Sequence, residues 1–325
     1  MIISASRRTD IPAFYSDWFM NRVRDGFFYR VNPFNGNQVS GFSLQPEHLD
    51  AICFWTKNPA PLMKRLEELD ERGLAYYFQF TLNPYGHEFE PCVPPLDERI
   101  ATFRLLAGRI GPERVIWRYD PVILSSVTPV EWHLEQAERI AGTLRGATRR
   151  LVFSFHDYYG KGRGRLHAAL QGTGITVKEI TAPEQSAELN RVACGFKAIS
   201  DTHGLRIFTC GEEIDLSGNG IEHGACIDGV LIRELFGGYP SLTKDKNQRP
   251  ACDCVESVEM GSYNTCPFRC SYCYATYNEA LIESNRQKQF PDSPSLLGRS
   301  KGGVNIRTTL HKKEHGHDKQ NLAGG

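Results

Sequence analysis

The feature that most constrains the fold is a recurrence. Short apolar runs are each stopped by polar residues or proline, and most are followed by a stretch with helical spacing. Ile2 to Ser6 ends at Arg7-Arg8 and Asp10. Ala51 to Thr56 ends at Lys57-Asn58-Pro59. Tyr76 to Leu82 ends at Asn83-Pro84, and Val115 to Tyr119 at Asp120-Pro121. Leu151 to Phe155 ends at His156-Asp157, Leu205 to Thr209 at Cys210, and Ser257 to Gly261 reads as a seventh strand. Runs this short and this rich in β-branched and aromatic residues suit strands buried on both faces, as in parallel sheets. Between them, Phe14, Trp18, Phe19 and Val23 form one helical stripe, and Leu62, Leu66 and Leu69 another within Pro61 to Arg72. Further helices are expected over Leu96 to Arg109, Glu131 to Leu144 and Pro183 to His203. Phe27 to Val31 reads as extended, with turn chemistry at Asn32-Pro33-Phe34-Asn35-Gly36-Asn37. Strand–helix alternation predicts an α/β fold, a complete or partial (β/α) TIM-barrel-like sheet.

In such a sheet the carboxyl ends of the strands face one mouth. Arg7, Arg8, Asp10, Lys57, Asn58, Asn83, Arg118, Asp120, His156, Asp157 and Glu212 all lie at or just past strand ends. Any one of them alone reads as a cap or turn residue. Together, over six strands, they point to a site.

Chemistry is concentrated in Cys266-Pro267-Phe268-Arg269-Cys270-Ser271-Tyr272-Cys273. Three thiols at CxxxCxxC spacing can fill three corners of a four-iron cluster and leave one iron open. Structural zinc takes four closed ligands, commonly from CxxC pairs, and suits this spacing poorly. A second group, Cys210, Cys226 and the CxC Cys252-Asp253-Cys254, can close another metal site, either an auxiliary iron–sulfur cluster or zinc. Cys53, Cys92 and Cys194 are isolated, and Cys53 in an apolar strand reads as packing.

The CxxxCxxC stretch, with aromatic Tyr272 before its last cysteine, resembles the cluster loop of radical SAM enzymes. The whole chain to about Ala280 is similar to a family known only as a domain of unknown function, DUF1848. The likeness rests on Ser4-Ala5-Ser6-Arg7-Arg8-Thr9-Asp10, Phe54-Trp55-Thr56-Lys57-Asn58-Pro59, Arg118-Tyr119-Asp120-Pro121, Asn247-Gln248-Arg249 and the cysteine stretch. The resemblance implies that Cys266, Cys270 and Cys273 ligate a [4Fe–4S] cluster, with Tyr272 and Asn58 beside the cofactors. It implies that S-adenosylmethionine binds at the open iron and is cleaved reductively to modify a small-molecule or nucleotide substrate. A flavodoxin- or ferredoxin-type reductant would supply the electron. Arg7, Arg8, Asp10, Lys57, Arg118 and Asp120 are the candidates for holding cofactor and substrate. Radical SAM loops follow the first strand, whereas this one follows the last, so a circularly permuted barrel is expected. The family's Gly-Gly-Glu cofactor motif has no recognisable counterpart. The alternative class is an iron–sulfur or zinc protein without this chemistry, serving electron transfer, sensing or nucleic-acid binding.

Lys+Arg and Asp+Glu are both 38, so formal charge gives no global pull toward nucleic acid or membrane. No apolar run approaches the ~18 residues of a spanning helix. Ser6-Arg7-Arg8 superficially resembles an export signal, but Thr9, Asp10, Asp17, Asn21 and Arg22 interrupt the apolar segment such a signal needs. A cytoplasmic protein is expected, where clustered cysteines mean metal or catalysis rather than a disulfide framework. Residues 1–290 are expected to form one domain, and 291–325 a polar, mobile tail carrying His315 and His317. Gly160 to Arg165 reads as a mobile surface loop.

Overall fold

A computed structural model describes residues 1–32, 35–156, 161–298 and 306–309. The expected apolar runs become strands and one unexpected strand, β7, joins them: β1 (Ile2–Ala5), β2 (Ala51–Thr56), β3 (Tyr76–Thr81), β4 (Val115–Val122), β5 (Arg150–Phe155), β6 (Arg206–Cys210), β7 (Glu222–Gly224) and β8 (Val258–Glu259). They form one 8-stranded sheet in the order β7-β6-β5-β4-β3-β2-β1-β8. Every neighbouring pair in it is parallel. The α/β class is therefore as read from the sequence. The ring is not closed, because no pairing joins β7 to β8 among the described residues. A single peptide hydrogen bond, Val255 N–H to Ile227 O at 3.0 Å, lies across that gap.

Successive side chains of a strand face opposite sides. Ile3, Phe54, Phe78, Trp117, Tyr119 and Phe153 pack with the helices in the main core. Ile2, Cys53, Tyr77, Ile116, Val152 and Phe208 face the other way, onto Cys226, Ile227, Leu231, Cys252 and Cys254. Each fully buried aromatic or aliphatic side chain contributes about 1.5–3 kcal/mol. The large outer aromatics therefore hold the helices to the sheet, and a smaller inner core leaves room for polar groups.

Four readings of the sequence change. The helix over Pro61 to Arg72 is two pieces, Ala60–Met63 and Leu66–Glu71, because Arg65 between them takes ψ near 2°. β4 runs on past Asp120-Pro121, with a register irregularity between Tyr119 and Val122 that tolerates a residue lacking an N–H. β7 has no apolar run and pairs through its backbone. A Cβ on Gly224 would lie 2.8 Å from Thr209 O, so only glycine allows that approach. Residues Lys161–Leu170 form a helix rather than a loop. Leu166 and Leu170 pack against Tyr85, Phe89 and Ile123, and this burial outweighs the poor helix propensity of its glycines.

A second sheet pairs Phe27–Asn32 antiparallel with Asn35–Ser43, which pairs in parallel with Ile306–Thr309. The start of the expected tail is packed. Ser293 O accepts Trp18 Nε1–H at 2.8 Å, Pro294 O accepts Tyr29 N–H at 2.7 Å, and Leu296 is buried. Pro33, Phe34, Asp157, Gly160, His315 and His317 lie outside the described residues. Among those described, no helix is long and apolar enough to cross a membrane.

Candidate functional site

Tight turns shape the cysteine loop. Asn264 and Arg269 adopt φ of 54° and 55°, left-handed positions uncommon for residues other than glycine. Asn264 is held by several bonds: its N–H donates to Ala275 O at 2.9 Å, and its Oδ1 accepts the N–H of Tyr277 and Asn278 at 2.9 and 3.1 Å. The loop is tied to the segments around it. Met260 N–H donates to Ser4 O (2.9 Å), Ser271 N–H to Phe89 O (2.9 Å), and Tyr15 OH to Thr265 O (2.5 Å). Phe268 packs edge-on to Phe14, with ring centroids 4.6 Å apart. Arg165, on the helix not foreseen, donates to Thr276 O at 2.6 Å and Arg269 O at 3.0 Å.

Cys273 lies close enough to Cys266 and Cys270 to raise the proton affinity of both. Burial pushes Cys266 up to about 12, with Asp10 and Cys273 adding to it. Burial pushes Cys270 well up; Lys57 opposes this, while Glu90, Cys273 and Cys266 reinforce it. Without a metal Cys266 and Cys270 stay protonated, and a bound cation would supply the charge that removes their protons. No group of three or more His, Cys, Asp or Glu among the described residues is arranged to hold a metal ion. Ligands of one ion crowd round one point, whereas three thiolates of a cubane sit on separate irons and stand further apart. The donor set and the mutual reach of the thiols suit the cluster reading.

Lys57 is the pivot of the polar surround. Its Nζ lies 2.7 Å from Glu90 Oε1 and 3.0 Å from the Tyr272 hydroxyl. The Tyr272 hydroxyl also donates to Glu90 and accepts Asn83 Nδ2–H at 3.1 Å. Burial opposes the Glu90 charge, but Lys57 and Arg99 hold its carboxyl below the usual range. Asn83 passes the network on, donating to Asp120 O at 2.7 Å and accepting Asp120 N–H at 2.9 Å. Arg118 Nε donates to Asp120 Oδ2 at 3.0 Å, and Ser154 donates to Oδ1. Burial likewise opposes the Asp120 charge, while Arg118 and Ser154 keep it low.

Asp10 is a clasp as well as a cap. It accepts the Ala13 N–H (2.9 Å), the Thr56 hydroxyl (2.9 Å) and the Lys57 N–H (2.6 Å), joining the ends of β1 and β2 beside Cys266. Burial raises its carboxyl to about 7 against those bonds. Asn58 takes a local role: its N–H bonds Thr56 Oγ1 at 3.0 Å and its Oδ1 accepts Ala60 N–H at 3.2 Å. Arg7 reaches Ser257 at 3.3 Å, its N–H bonds Glu259 at 3.1 Å, and its carbonyl accepts the Tyr274 hydroxyl at 2.9 Å. Arg8 lies over the Tyr263 ring, 4.4 Å from its centroid. The structure thus brings Asp10 and Lys57 to the cysteine loop and its Tyr272, with Arg118 and Asp120 joined through Asn83. Glu90, Arg99, Arg165 and Glu259 escaped the sequence reading, because nothing in their spacing marks them.

The second cysteine group sits on the inner face. Cys210 and Cys226 are joined as a disulfide, and Cys252 and Cys254 are free and buried. Cys252 and Cys254 share a proton between them, which pushes Cys252 up and Cys254 down.

Residues 2–275 match the family described as "Domain of unknown function (DUF1848)". No curated protein matches the chain. One solved structure, described as an alpha-L-fucosidase from Bacteroides thetaiotaomicron VPI-5482, shares 13% identity. The comparison covers 75% of this chain and 85% of that one, with a TM-score of 0.27, too low to carry an argument.

Proposed function

The chain belongs to the DUF1848 family, and from that premise we propose that it is a radical SAM-like iron–sulfur enzyme built on an opened, circularly permuted (β/α) barrel. One observation carries the reading: a CxxxCxxC loop is held beside the carboxyl ends of β1 and β2, Met260 by Ser4, Thr265 by Tyr15, Ser271 by Phe89 and Tyr272 by Lys57. Two features of the sheet support the permutation. β8 pairs with β1 in parallel, as a last strand does in a ring, and the cysteine loop follows β8 directly.

Cys266, Cys270 and Cys273 would hold the [4Fe–4S] cluster. Bound there, it supplies the electron for reductive cleavage of S-adenosylmethionine, the source being a flavodoxin- or ferredoxin-type partner. The protein's own residues position and shield. Lys57, fixed between Glu90 and Tyr272, places a cation beside Cys270, where it offsets thiolate charge. The Asp10 carboxylate clasps the β1 and β2 ends, and its backbone N–H bonds Cys266. Phe268 and Phe14 keep water from the loop's back. Arg8, whose guanidinium lies over the Tyr263 ring, is the residue we assign to a carboxylate of cofactor or substrate.

A second reading, a cluster protein without S-adenosylmethionine chemistry, draws on a different observation. Lys57, Arg118 and Asp120 are already paired within the protein. Anaerobic reconstitution followed by S-adenosylmethionine and dithionite separates the two. The enzyme reading expects 5′-deoxyadenosine and an altered cluster EPR spectrum; a loaded cluster giving neither leaves the second reading standing.

A further inference from the structure

Four other sulfurs meet on the inner face of the sheet. Cys210 closes β6, Cys226 follows β7, and Cys252 and Cys254 stand just ahead of β8. The Cα atoms of the bonded pair Cys210 and Cys226 are 6.6 Å apart. Cys254 Sγ accepts the N–H of Ile227 at 3.4 Å as well as that of Cys226, so the free pair adjoins the bonded one. Arg118 Nη1 lies 3.0 Å from Cys226 Sγ. Three separate chain segments thus deliver four sulfurs to one buried place.

The donors around them are informative. Two peptide N–H groups and a buried guanidinium point at sulfur. A disulfide or a neutral thiol is a weak acceptor and gains little from them. Four thiolates round a cation carry net negative charge in a dry setting, and such donors stabilise them.

We propose that Cys210, Cys226, Cys252 and Cys254 form a four-thiolate site for one tetrahedral ion, Zn2+, assembled when the Cys210–Cys226 disulfide is reduced. A dithiol reductant becomes a disulfide and passes two electrons and two protons to Cys210 and Cys226. The four thiols then release their protons as the ion binds. A single ion fits because the Cys226 N–H reaches Cys254 Sγ, which sets the two pairs side by side, and Zn–S bonds of about 2.3 Å hold four sulfurs round one point. A cubane would spread the four sulfurs over separate irons. With the disulfide formed, only Cys252 and Cys254 of the four are free, and no metal-holding group stands among the described residues. The ion would bridge the segments flanking the β7–β8 gap, where peptide pairing supplies little. The proposal does not depend on the function of Cys266, Cys270 and Cys273.

The test is a Co2+ titration of the dithiol-reduced full chain, with Zn2+ as competitor, and zinc analysis of the protein as isolated. Reduced protein should develop the visible bands of tetrahedral thiolate-bound cobalt, and Zn2+ should abolish them. Diamide oxidation should eject the metal. The Cys252→Ser/Cys254→Ser variant and the separate Cys210→Ser variant should lose the signal, while Cys53→Ala, in the same apolar cluster, should keep it. Circular dichroism identifies any variant that fails to fold, and Cys210, at a strand end, gives an independent readout. Bands that persist in both serine variants or survive oxidation would overturn the site. Loss of iron and sulfide rather than zinc from those variants would overturn the single ion.

Discussion

Lys57 and Glu90 form the central ion pair of the mouth: Nζ stands 2.7 Å from Oε1, and Tyr272 of the cysteine loop touches both. The Glu90 side chain is 1% exposed, so its charge depends on partners rather than water. Removing one partner of a buried pair costs roughly 3–5 kcal/mol, because the other charge is stranded. Lys57→Met should lose stability on that scale in urea unfolding. Adding Glu90→Gln should recover part of it. A loss below about 1 kcal/mol, the scale of an exposed pair, would show that water reaches Glu90.

The three loop thiols should act as one unit. Alanine at Cys266, Cys270 or Cys273 should each abolish iron and sulfide loading and the brown colour of reconstituted protein, with far-UV circular dichroism unchanged. Full loading of any single variant would remove that cysteine from the ligand set.

His133 should shape the acid limb of stability. Its Nε2 faces Ile123 O at 3.0 Å, an acceptor only, so that nitrogen carries the proton and Nδ1 accepts from the Tyr119 hydroxyl at 2.8 Å. Burial lowers its pKa from 6.5 to about 4. The unfolded chain therefore takes up a proton through pH 6.5 that the folded one refuses until about 4. Its contribution is complete above 6.5 and falls away as pH drops toward 4, by about 3 kcal/mol at most. His133→Gln should flatten that stretch of the stability–pH curve.

The segment after Phe290 should matter for stability. A chain ending at Phe290 loses the acceptor of the fully buried Trp18 indole, the partner of Tyr29 N–H, and buried Leu296. The two lost hydrogen bonds and the missing leucine together cost about 3–6 kcal/mol. Thermal unfolding of the shortened chain should show a lowered midpoint. An unchanged midpoint would mean that these contacts are replaced.

The strands were legible because each is an apolar run with a polar stop, and Ala51 to Thr56 or Tyr76 to Thr81 could hardly be anything else. Glu222–Gly224 was not legible, since Glu, His and Gly carry no period and the strand exists only through its neighbour's backbone. The same divide runs through the site. Cys266, Cys270 and Cys273 announce themselves by spacing. Glu90 is a lone acid in a loop, and it becomes central only because distant segments fold Lys57, Arg99 and Tyr272 around it. Asp10 was read both as a helix cap and as a member of the mouth, and its three hydrogen bonds show a structural clasp beside Cys266.

The pairing of β8 with β1 has a consequence for biosynthesis. Ile3 waits for Val258, and Glu90 for Tyr272, which is 182 residues further along the chain. A chain emerging from the ribosome therefore carries β1 with one flank bare until residue 258 has been made. Contacts so far apart in sequence form late and slowly. A chaperone that shields the uncovered edge of Ile2–Ala5 would act at the step where nascent chains are otherwise lost to aggregation.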